Sequence, residues 1–264
     1  MIKLRNNIYK SKKFLGQNFL IDKCVIKHII SRINPQKKDV MIEIGPGLGA
    51  LTYDISKFPC KLFLIEYDKD LAYKLFLFYR DMSNVKIFSE NALKFDFLRV
   101  RKNFELIRIF GNLPYNVSVA LLCYFFTYYN IIFDMHLMFQ KEVADRLLAV
   151  PGTKNYGRLS VISQYFYNIT NLLDVFPRSF RPIPKVNSNF LRFTIHKKNK
   201  NFVKNVSNLQ KITTLAFSKR RKMIKNSLFE LFSEDVLTSL DIDPKCRAEN
   251  LSITQYCILS NYIS

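Results

Sequence analysis

The sequence predicts an α/β fold with a parallel sheet, followed by a small all-helical domain. Short apolar runs typical of buried strands alternate with helical stretches through the first 196 residues. The first of these runs leads directly into a glycine-rich loop, the arrangement that binds ligands at the carboxyl ends of parallel strands. Beyond residue 196 the pattern becomes helical, so we predict domains at residues 1–196 and 197–264.

The glycine-rich loop follows a predicted strand at residues 40–44. Three of the chain's seven glycines, Gly45, Gly47 and Gly49, lie in this loop. Residues 45–50 satisfy the dinucleotide form G-x-G-x-x-A, whereas Pro46 and the preceding Glu43 favour the E-x-G-x-G-x-G form typical of S-adenosylmethionine sites. The loop alone does not decide between these two cofactors.

Polar residues also follow the next two predicted strands, at residues 61–65 and 85–88. Glu66 comes 21 positions after Gly45, which is the spacing at which an acid meets ribose hydroxyls. Asn91 can donate to an adenine ring or accept from it. Because the carboxyl ends of parallel strands share one edge of the sheet, we expect these residues to lie together. The alternative for Glu66 is an exposed acid that starts the next helix.

The stretch Gly111-Asn112-Leu113-Pro114-Tyr115 follows a fourth predicted strand, residues 106–110, and precedes a buried helix predicted at residues 117–129. Asn112 offers a carbonyl acceptor, Pro114 has no N–H, and Tyr115 has a flat apolar face with a polar tip. Together these residues could hold a planar amine by its two hydrogens and stack on its ring. The alternative is an ordinary turn, because Asn and Pro are turn residues.

The region after this helix is less regular. We predict a strand at residues 135–139, a helix at 141–150, a loop at 151–158 and a strand at 165–169. Residues 176–186 contain three prolines and three basic residues, which is too much proline for a central strand. We predict that this segment is either an extended loop beside the site or an inert connector. Residues 189–195 are predicted to form the last strand.

The chain carries 41 Lys and Arg against 21 Asp and Glu, a formal net charge of +20 that favours a polyanionic partner. A run that begins at Ser218 holds five bases and no acid within eight residues. A solvated helix face is the usual explanation for such a run, but the lack of any acid favours phosphate contacts. The candidate RNA-binding residues are Lys219, Arg220, Arg221, Lys222 and Lys225.

Cysteine, histidine and hydropathy patterns predict the cellular location of the protein and whether it binds a metal or spans a membrane. The five scattered cysteines include no C-x-x-C pair and indicate reduced thiols in a cytoplasm. The three histidines are too dispersed to suggest a metal site. The charge-free residues 117–133 are better explained by a buried helix and a strand than by a membrane span. We therefore expect a cytoplasmic monomer without a metal or a membrane segment.

Taken together, these motifs resemble the bacterial ribosomal RNA adenine N6-dimethyltransferase family, the small-subunit (16S) type whose loss confers kasugamycin resistance. The similarity extends nearly from end to end of the chain. Matching stretches are residues 16–20, 43–49, 111–116, 139–143, 156–160, 184–188 and 247–250.

The resemblance implies a Rossmann-like class I S-adenosylmethionine-dependent methyltransferase domain with a small helical C-terminal domain. It implies dimethylation of N6 on two adjacent adenosines in the 3′-terminal hairpin loop of 16S rRNA, within the small ribosomal subunit and late in its assembly. The catalytic loop it implies is Asn112, Leu113, Pro114 and Tyr115. The cofactor contacts it implies are Asn18, Leu20, Gly45, Gly47, Glu66, Asn91 and Asn112.

Two positions depart from the family pattern, which usually has Asp where this chain has Asn91 and Asn187. The first departure concerns a cofactor contact. Two other classes of function are weighed against the methyltransferase. A nicotinamide-dependent enzyme would leave the Asn-Leu-Pro-Tyr stretch and the charge unexplained. A non-catalytic RNA-binding assembly factor would share the charge but transfer no methyl group.

Overall fold

The computed structural model describes residues 11–101, 105–196 and 203–264. The chain divides into two compact units. The first comprises the described residues up to Ala144 together with Thr170–Ile195, and the second comprises Asp145–Ile169 and the described residues from His196 onward. Residues 145–169, which the sequence analysis placed before the boundary, therefore group with the C-terminal unit. The division into functional domains at residue 196 stays a prediction.

The strands bring the predicted functional loops to one edge of a sheet. Within the described residues, seven strands form a mixed sheet in the order β4-β3-β2-β5-β6-β9-β7, and β1 and β8 form a separate antiparallel pair. The neighbours from β4 to β6 are parallel, and β9 is antiparallel to β6. The strands are β1 (Phe19–Leu20), β2 (Val40–Ile44), β3 (Lys61–Ile65), β4 (Val85–Phe88), β5 (Ile107–Gly111), β6 (Ile132–Gln140), β7 (Tyr167–Val175), β8 (Phe180–Arg181) and β9 (Ser188–Ile195).

Helices connect the parallel strands of the first unit and form most of the second. The α-helices are α1 (Lys23–Ile33), α2 (Thr52–Ile55), α3 (Lys69–Tyr79), α4 (Ser118–Phe125), α5 (Lys141–Leu147), α6 (Arg158–Phe166), α7 (Val206–Ser218), α8 (Ile224–Ser227), α9 (Glu234–Ser239) and α10 (Ile253–Tyr262). Short 3₁₀ segments lie at Lys13–Leu15, Phe97–Val100, Phe126–Ile131, Pro177–Ser179 and Ala248–Asn250. In the part of the chain that the structure describes, no helix has the length and apolar character needed to span a bilayer.

Capping residues set both ends of α1. The Asp22 carboxylate accepts hydrogen bonds from the backbone N–H groups of the first turn, which are otherwise unpaired at a helix start. Asn34 ends the helix in the left-handed region, with a φ of 49°. The residues Ile26, Ile29 and Ile33 recur at helical spacing and are buried, so α1 packs one apolar face into the core.

The strands β2, β3 and β4 have the predicted bounds, and β5 begins one residue later than predicted. Both faces of β2 and β5 are buried, which explains their nearly continuous apolar sequences. These two strands approach closely at the end of β5. A Cβ atom on Gly111 would lie 2.5 Å from the carbonyl oxygen of Ile44, so only glycine fits there without moving a strand.

Some predicted elements were wrong in extent or type. The predicted buried helix at residues 117–129 ends as an α-helix at Phe125 and continues as a 3₁₀ segment. The predicted helix at 141–150 ends at Leu147. Residues 165 and 166, predicted as strand, are the last residues of α6, and the strand begins only at Tyr167. The aromatic residues there favour a strand on intrinsic propensity, but tertiary packing overrides that preference.

The proline-rich segment at 176–186 is more than a connector. Its residues Phe180 and Arg181 form β8 and pair with Leu20 and Phe19 of β1. The carbonyl oxygen of Ser179 also accepts a hydrogen bond from the backbone N–H of Ile21 over 2.9 Å. The segment therefore holds the chain that immediately precedes α1, and the alternative of an inert connector is wrong.

The second unit is stabilised by capped helices around an apolar core. Ser233 caps α9, and Ser252 forms a capping box with Gln255 at the start of α10. The buried Tyr256 on α10 donates its hydroxyl hydrogen to the carbonyl of Ala248 over 2.7 Å. These bonds satisfy polar groups that burial would otherwise leave unpaired.

Candidate active site

A cavity of about 390 Å³ opens where β2, β3, β4 and β5 end, a volume typical of small-molecule and cofactor sites. Each of these strands delivers one of its lining loops, and the segment before α1 delivers another. The loops meet because parallel strands end at a common edge of the sheet. All seven predicted cofactor residues line the cavity: Asn18, Leu20, Gly45, Gly47, Glu66, Asn91 and Asn112.

The glycine loop after β2 needs its glycines for backbone conformation. The backbone φ angles of Gly45, Gly47 and Gly49 are 64°, 57° and 75°, in the left-handed region that residues other than glycine rarely adopt. A Cβ atom on Gly47 would also come within 3.0 Å of the Phe19 ring. The backbone is therefore exposed to the cavity without intervening side chains.

Glu66 lies buried at the end of β3 with both carboxylate oxygens turned toward backbone donors. One oxygen accepts from the N–H of Gly47 over 3.0 Å and the other from the N–H of Asp68 over 2.8 Å. Burial raises the pKa of this carboxyl above its ordinary value, although the two backbone donors partly offset the effect. Among the described residues, no basic side chain forms an ion pair with Glu66.

Glu43, the fourth residue of β2, is a second buried carboxyl that lines the cavity. The Thr52 hydroxyl donates to it over 2.6 Å. Burial raises the pKa of Glu43 to about 8, more than the Thr52 bond lowers it, and the nearby charge of Glu66 adds to the rise. Two buried carboxyls without a cation are unusual in a chain that carries a formal charge of +20.

The loop after β4 presents Asn91 to the cavity. The Asn91 carbonyl Oδ1 accepts from the backbone N–H of Leu93 over 3.0 Å, which fixes the orientation of the amide. The neighbouring Glu90 forms two hydrogen bonds, of 2.7 and 2.9 Å, with the guanidinium of Arg99. That guanidinium lies over the Phe95 ring, 4.9 Å from its centroid. Arg99 and Phe95, which do not line the cavity, therefore hold the loop in place through the lining residue Glu90.

The loop after β5 brings Asn112, Leu113 and Pro114 to the same cavity. The Asn112 Nδ2 donates to the Asn18 carbonyl over 2.7 Å, so its Oδ1 is the atom left to accept from a ligand. Tyr115 is not among the lining residues, and its hydroxyl pairs with the Ser188 hydroxyl at 2.7 Å. Burial raises the pKa of Tyr115, and the bond with Ser188 opposes that rise.

Sequence reasoning missed how the segment before β1 is held in place. The Lys12 ammonium lies 2.8 Å from an Asp68 carboxylate oxygen and 2.7 Å from an Asp70 oxygen. The Gln17 amide donates to the other Asp68 oxygen over 3.0 Å. Asp68 also caps α3, where its side chain accepts from the backbone N–H of Asp70. No local pattern signals a contact between residues 56 positions apart.

The predicted RNA-binding run does not lie on one helix face: residues 219–222 lie in the turn between α7 and α8 of the second unit, and Lys225 lies in α8. Arg220 donates to Glu249 over 2.9 Å. It also donates to the backbone carbonyls of Lys154 and Tyr156, which lie in the loop before α6. Lys225 donates to Glu234 over 2.9 Å. Arg221 and Lys222 are exposed and form no ion pair with any described residue. Lys219 is also exposed, with its ammonium 5.9 Å from the centroid of the Phe229 ring.

Comparison with known proteins gives the family. The model of the ribosomal RNA adenine dimethylase family matches residues 8–264. This chain belongs to that family. A "Ribosomal RNA small subunit methyltransferase A" of Buchnera aphidicola subspecies Baizongia pistaciae is 52% identical over 261 residues, covering 98% of this chain and 99% of the relative. A protein of the same name from Escherichia coli (strain HS) is 47% identical over 255 residues, covering 96% and 93%.

Solved structures support the same fold. A dimethyladenosine transferase from Plasmodium falciparum superposes with a TM-score of 0.78 at 25% identity, covering 91% of this chain and 95% of that one. The 23S rRNA methyltransferase ErmE superposes with a TM-score of 0.71 at 21% identity, covering 91% and 97%, which shows a shared fold. The predicted family, the Rossmann-like methyltransferase fold and the enzyme class are therefore confirmed. The nicotinamide-dependent alternative is wrong.

Proposed function

We propose that this protein transfers methyl groups from S-adenosylmethionine to N6 of two adjacent adenosines in the 3′-terminal hairpin loop of 16S rRNA, within the small ribosomal subunit. One observation carries the proposal for the site. The predicted cofactor residues and the Asn112–Pro114 part of the catalytic loop line a single cavity, at the sheet edge where such folds bind ligands. The names of the relatives at 52% and 47% identity support the substrate.

The chemistry of the cavity fits S-adenosylmethionine. Glu66 is a buried carboxylate whose remaining lone pairs could accept hydrogen bonds from ribose hydroxyls. The exposed backbone at Gly45 and Gly47 leaves room for a ligand to approach closely. Asn91 would face the adenine, and Asn18 and Leu20 would close the opposite side. When bound, the cofactor supplies an electrophilic methyl group on a positively charged sulfur.

The protein's contribution to the reaction is to position the adenine amine. The lone pair of this amine is delocalised into the ring, which makes the nitrogen a poor nucleophile. We assign Asn112 Oδ1 and the Leu113 carbonyl as acceptors of its two hydrogens. Holding both hydrogens in this way favours a localised lone pair directed at the methyl group. Catalysis then depends mainly on positioning and electrostatics, without a strong base.

Pro114 and Tyr115 complete the catalytic loop in this proposal. Pro114 presents no N–H that would compete for the acceptors. Tyr115 stacks on the target base after it has been flipped out of the RNA. The burial of Tyr115 keeps its pKa above the ordinary value, so the phenol stays protonated and offers a neutral face to the base.

In the second unit, we assign Arg221, Lys222 and Lys219 to the RNA backbone ahead of Arg220 and Lys225. The latter two already hold acidic partners, Glu249 and Glu234.

Exchanging Arg221 and Lys222 for Glu should weaken subunit binding and lower its salt dependence by roughly 0.7–0.9 log units of slope for each phosphate that is no longer bound. A matched control exchanges Lys37 and Lys38 for Glu. These two lysines are exposed and lie in the first unit, just before the start of β2. Equal slopes for both variants would remove the run from the RNA interface.

Methyl transfer from labelled S-adenosylmethionine to unmethylated small subunits tests the proposed function directly. We expect label on the two adenosines, with two methyl groups on each. Asn112→Ala should lower turnover by about 10²-fold or more, the scale of one lost positioning group. Asn171→Ala removes the same amide from an exposed position on β7 and should leave turnover unchanged.

Two outcomes would contradict the proposal. A purified wild-type protein that binds subunits but incorporates no label would be a non-catalytic assembly factor. An Asn112→Ala variant with normal turnover would refute the assigned role of the amide. Monomeric state, cytoplasmic location and independence of a metal stay predictions.

A further inference from the structure

Tyr115 and Ser188 form a pair that joins two segments far apart in the chain. Their hydroxyl oxygens are 2.7 Å apart across a separation of 73 residues. Ser188 is fully buried, and Tyr115 is partly buried. Within the described residues, this is the one hydrogen bond that the Ser188 hydroxyl makes. The proposed reaction itself uses neither hydroxyl group.

Ser188 is held by the sheet and offers a rigid anchor. It is the first residue of β9 and lies opposite Gln140 of β6 in the antiparallel register. The carbonyl of the preceding residue, Asn187, accepts from the backbone N–H of Lys141 over 2.9 Å. Side chains on strands are positioned more accurately than side chains on loops, because their backbone is hydrogen-bonded on both sides.

The backbone of Tyr115 is held as well, at the other end of its side chain. The Ser118 hydroxyl donates to the Tyr115 carbonyl over 3.1 Å. The backbone N–H of Val117 donates to the Pro114 carbonyl over 3.1 Å. A tyrosine ring turns about only two side-chain bonds, so fixing its backbone and its hydroxyl leaves the ring little freedom to move.

The orientation of this ring matters for the amine. Asn112 lies three positions earlier in the same loop, with its Oδ1 directed away from Asn18. A base stacked on Tyr115 presents its amino group to that oxygen only if the ring plane is set correctly. Misplacement of a reacting group by about 1 Å can cost a large factor in rate.

We propose that Ser188 is a positioning residue for the target adenine, because its hydroxyl sets the ring plane of Tyr115. The proposal rests on the proposed function, in which Tyr115 stacks on the flipped base. It assigns a role to the last residue of the 184–188 stretch, which sequence comparison alone left without one. Ser188 touches neither the substrate nor the cofactor in this scheme and acts through Tyr115.

A double-mutant cycle tests this coupling, with Ser188→Ala, Tyr115→Phe and the two combined. Each single change removes one end of the same hydrogen bond. We expect each to lower kcat on unmethylated subunits by roughly three- to tenfold, the scale of one neutral hydrogen bond. The combined variant should lose no more than the larger single effect, because the second change removes nothing further.

Two further measurements separate positioning from damage to the fold. Binding of S-adenosylhomocysteine, measured by calorimetry, should be unchanged in all three variants, because neither residue lines the cofactor cavity. Ser163→Ala is the matched control: its hydroxyl is buried in the second unit and has no hydrogen-bond partner among the described residues. That control should leave kcat unchanged. Thermal midpoints identify any variant that fails to fold, and Tyr115→Phe alone still tests the bond in that case.

The outcomes are distinguishable from failure of the proposed function. Independent effects that multiply in the combined variant would overturn the coupling, as would normal kcat in Ser188→Ala or in Tyr115→Phe. Tyr115→Ala tests the stacking role itself and should reduce kcat far more than Tyr115→Phe. Normal kcat in Tyr115→Ala would refute both the stacking role of Tyr115 and the positioning role of its hydrogen bond with Ser188. A reduced kcat in Tyr115→Ala together with a normal kcat in Ser188→Ala would refute only the positioning role of Ser188.

Discussion

The two edges of the central sheet bury ionisable groups in opposite ways. At the amino edge, the Arg108 guanidinium forms bonds of 2.8 and 2.9 Å to Asp134 and one of 2.6 Å to Asp39. It also donates to the carbonyl of Ile33 over 2.7 Å. Burial alone would lower the pKa of Arg108, but its acidic partners outweigh that effect and raise it. Buried charge at this edge is paired and its hydrogen bonds are satisfied.

At the carboxyl edge, Glu43 and Glu66 are buried with hydroxyl and backbone donors only. Burial raises the pKa of both carboxyls, because no cation among the described residues offsets the loss of water. The comparison separates two uses of buried charge in one sheet. The paired edge stabilises the fold, and the unpaired edge keeps polar groups available for a ligand.

Removing Arg108 should break the paired edge and have the largest effect on stability. Arg108→Met leaves the fully buried Asp134 without its cation and should lower the free energy of unfolding by about 3–5 kcal/mol. Urea denaturation followed by circular dichroism measures the change. Arg80→Met, at an exposed arginine beside Asp81, is the control and should change stability by about 0.5 kcal/mol or less. An unchanged midpoint for Arg108→Met would show that the network is dispensable.

The corresponding change at the unpaired edge should affect ligand binding more than stability. Glu66→Gln replaces charge-assisted hydrogen bonds to ribose hydroxyls with weaker neutral ones, and S-adenosylhomocysteine should bind roughly 10- to 100-fold more weakly by calorimetry. The unfolding midpoint should fall less than for Arg108→Met, because no cation loses a partner, although the single oxygen of Gln can accept from only one of the Gly47 and Asp68 N–H groups. Glu142→Gln, at an exposed position, is the matched control. Equal affinity for the two variants would remove Glu66 from the cofactor site.

The pH dependence of stability should reveal Glu43. Its pKa is about 8 in the folded protein against an ordinary value of 4.5, so the folded state retains a proton that the unfolded state releases. Stability therefore falls as pH rises from about 4.5 to 8. Glu43→Gln cannot ionise and should be more stable than the wild type at pH 8 by at least about 1–2 kcal/mol, since each unit of pKa shift corresponds to about 1.4 kcal/mol.

Thermal unfolding of both proteins at a series of pH values checks this expectation. The two curves should converge at low pH, where Glu43 is protonated in both states of the wild type. A constant difference across the series would assign the effect to packing rather than to ionisation.

The smallest expected effect concerns Asn91. Asn91→Asp would keep one oxygen on the Leu93 N–H and offer the other as a charged acceptor for the adenine amino group. Charge-assisted bonds are worth about 1.5–3 kcal/mol against about 1 for neutral ones, so S-adenosylmethionine should bind a few-fold more tightly. Calorimetry on Asn91→Ser, which removes the amide without adding charge, provides the comparison. Weaker binding by the Asp variant would show that the loop has adapted to the amide.

Sequence patterns predicted the carboxyl edge well, because its residues follow strand ends directly. Gly45, Glu66, Asn91 and Asn112 each come within three positions of a strand with a clear apolar pattern. Parallel pairing then brings the four loops together without further information. The fold and the membership of the cavity were therefore within reach of the sequence.

The amino edge and the supports of the site were not predictable in this way. The bond between Arg108 and Asp134 joins positions 26 apart, and that between Tyr115 and Ser188 joins positions 73 apart. Such pairs leave no periodic signal, because they depend on the registers of strands that meet only in the folded sheet. Helix α6 was missed for a related reason: packing, not local propensity, stabilises its aromatic end.

The close approach of Gly111 to Ile44 determines how near the loop after β5 lies to the loop after β2. The cofactor loops end β2 and β3, whereas the acceptor for the target amine ends β5, the immediate neighbour of β2. In the proposed reaction, the loop that would hold the cofactor and the loop that would hold the target amine therefore leave neighbouring strands, which lie about 4.8 Å apart. A side chain at residue 111 would push against the Ile44 carbonyl and lengthen that gap. The absence of a side chain at residue 111 therefore lets the backbone alone bring these two loops close together.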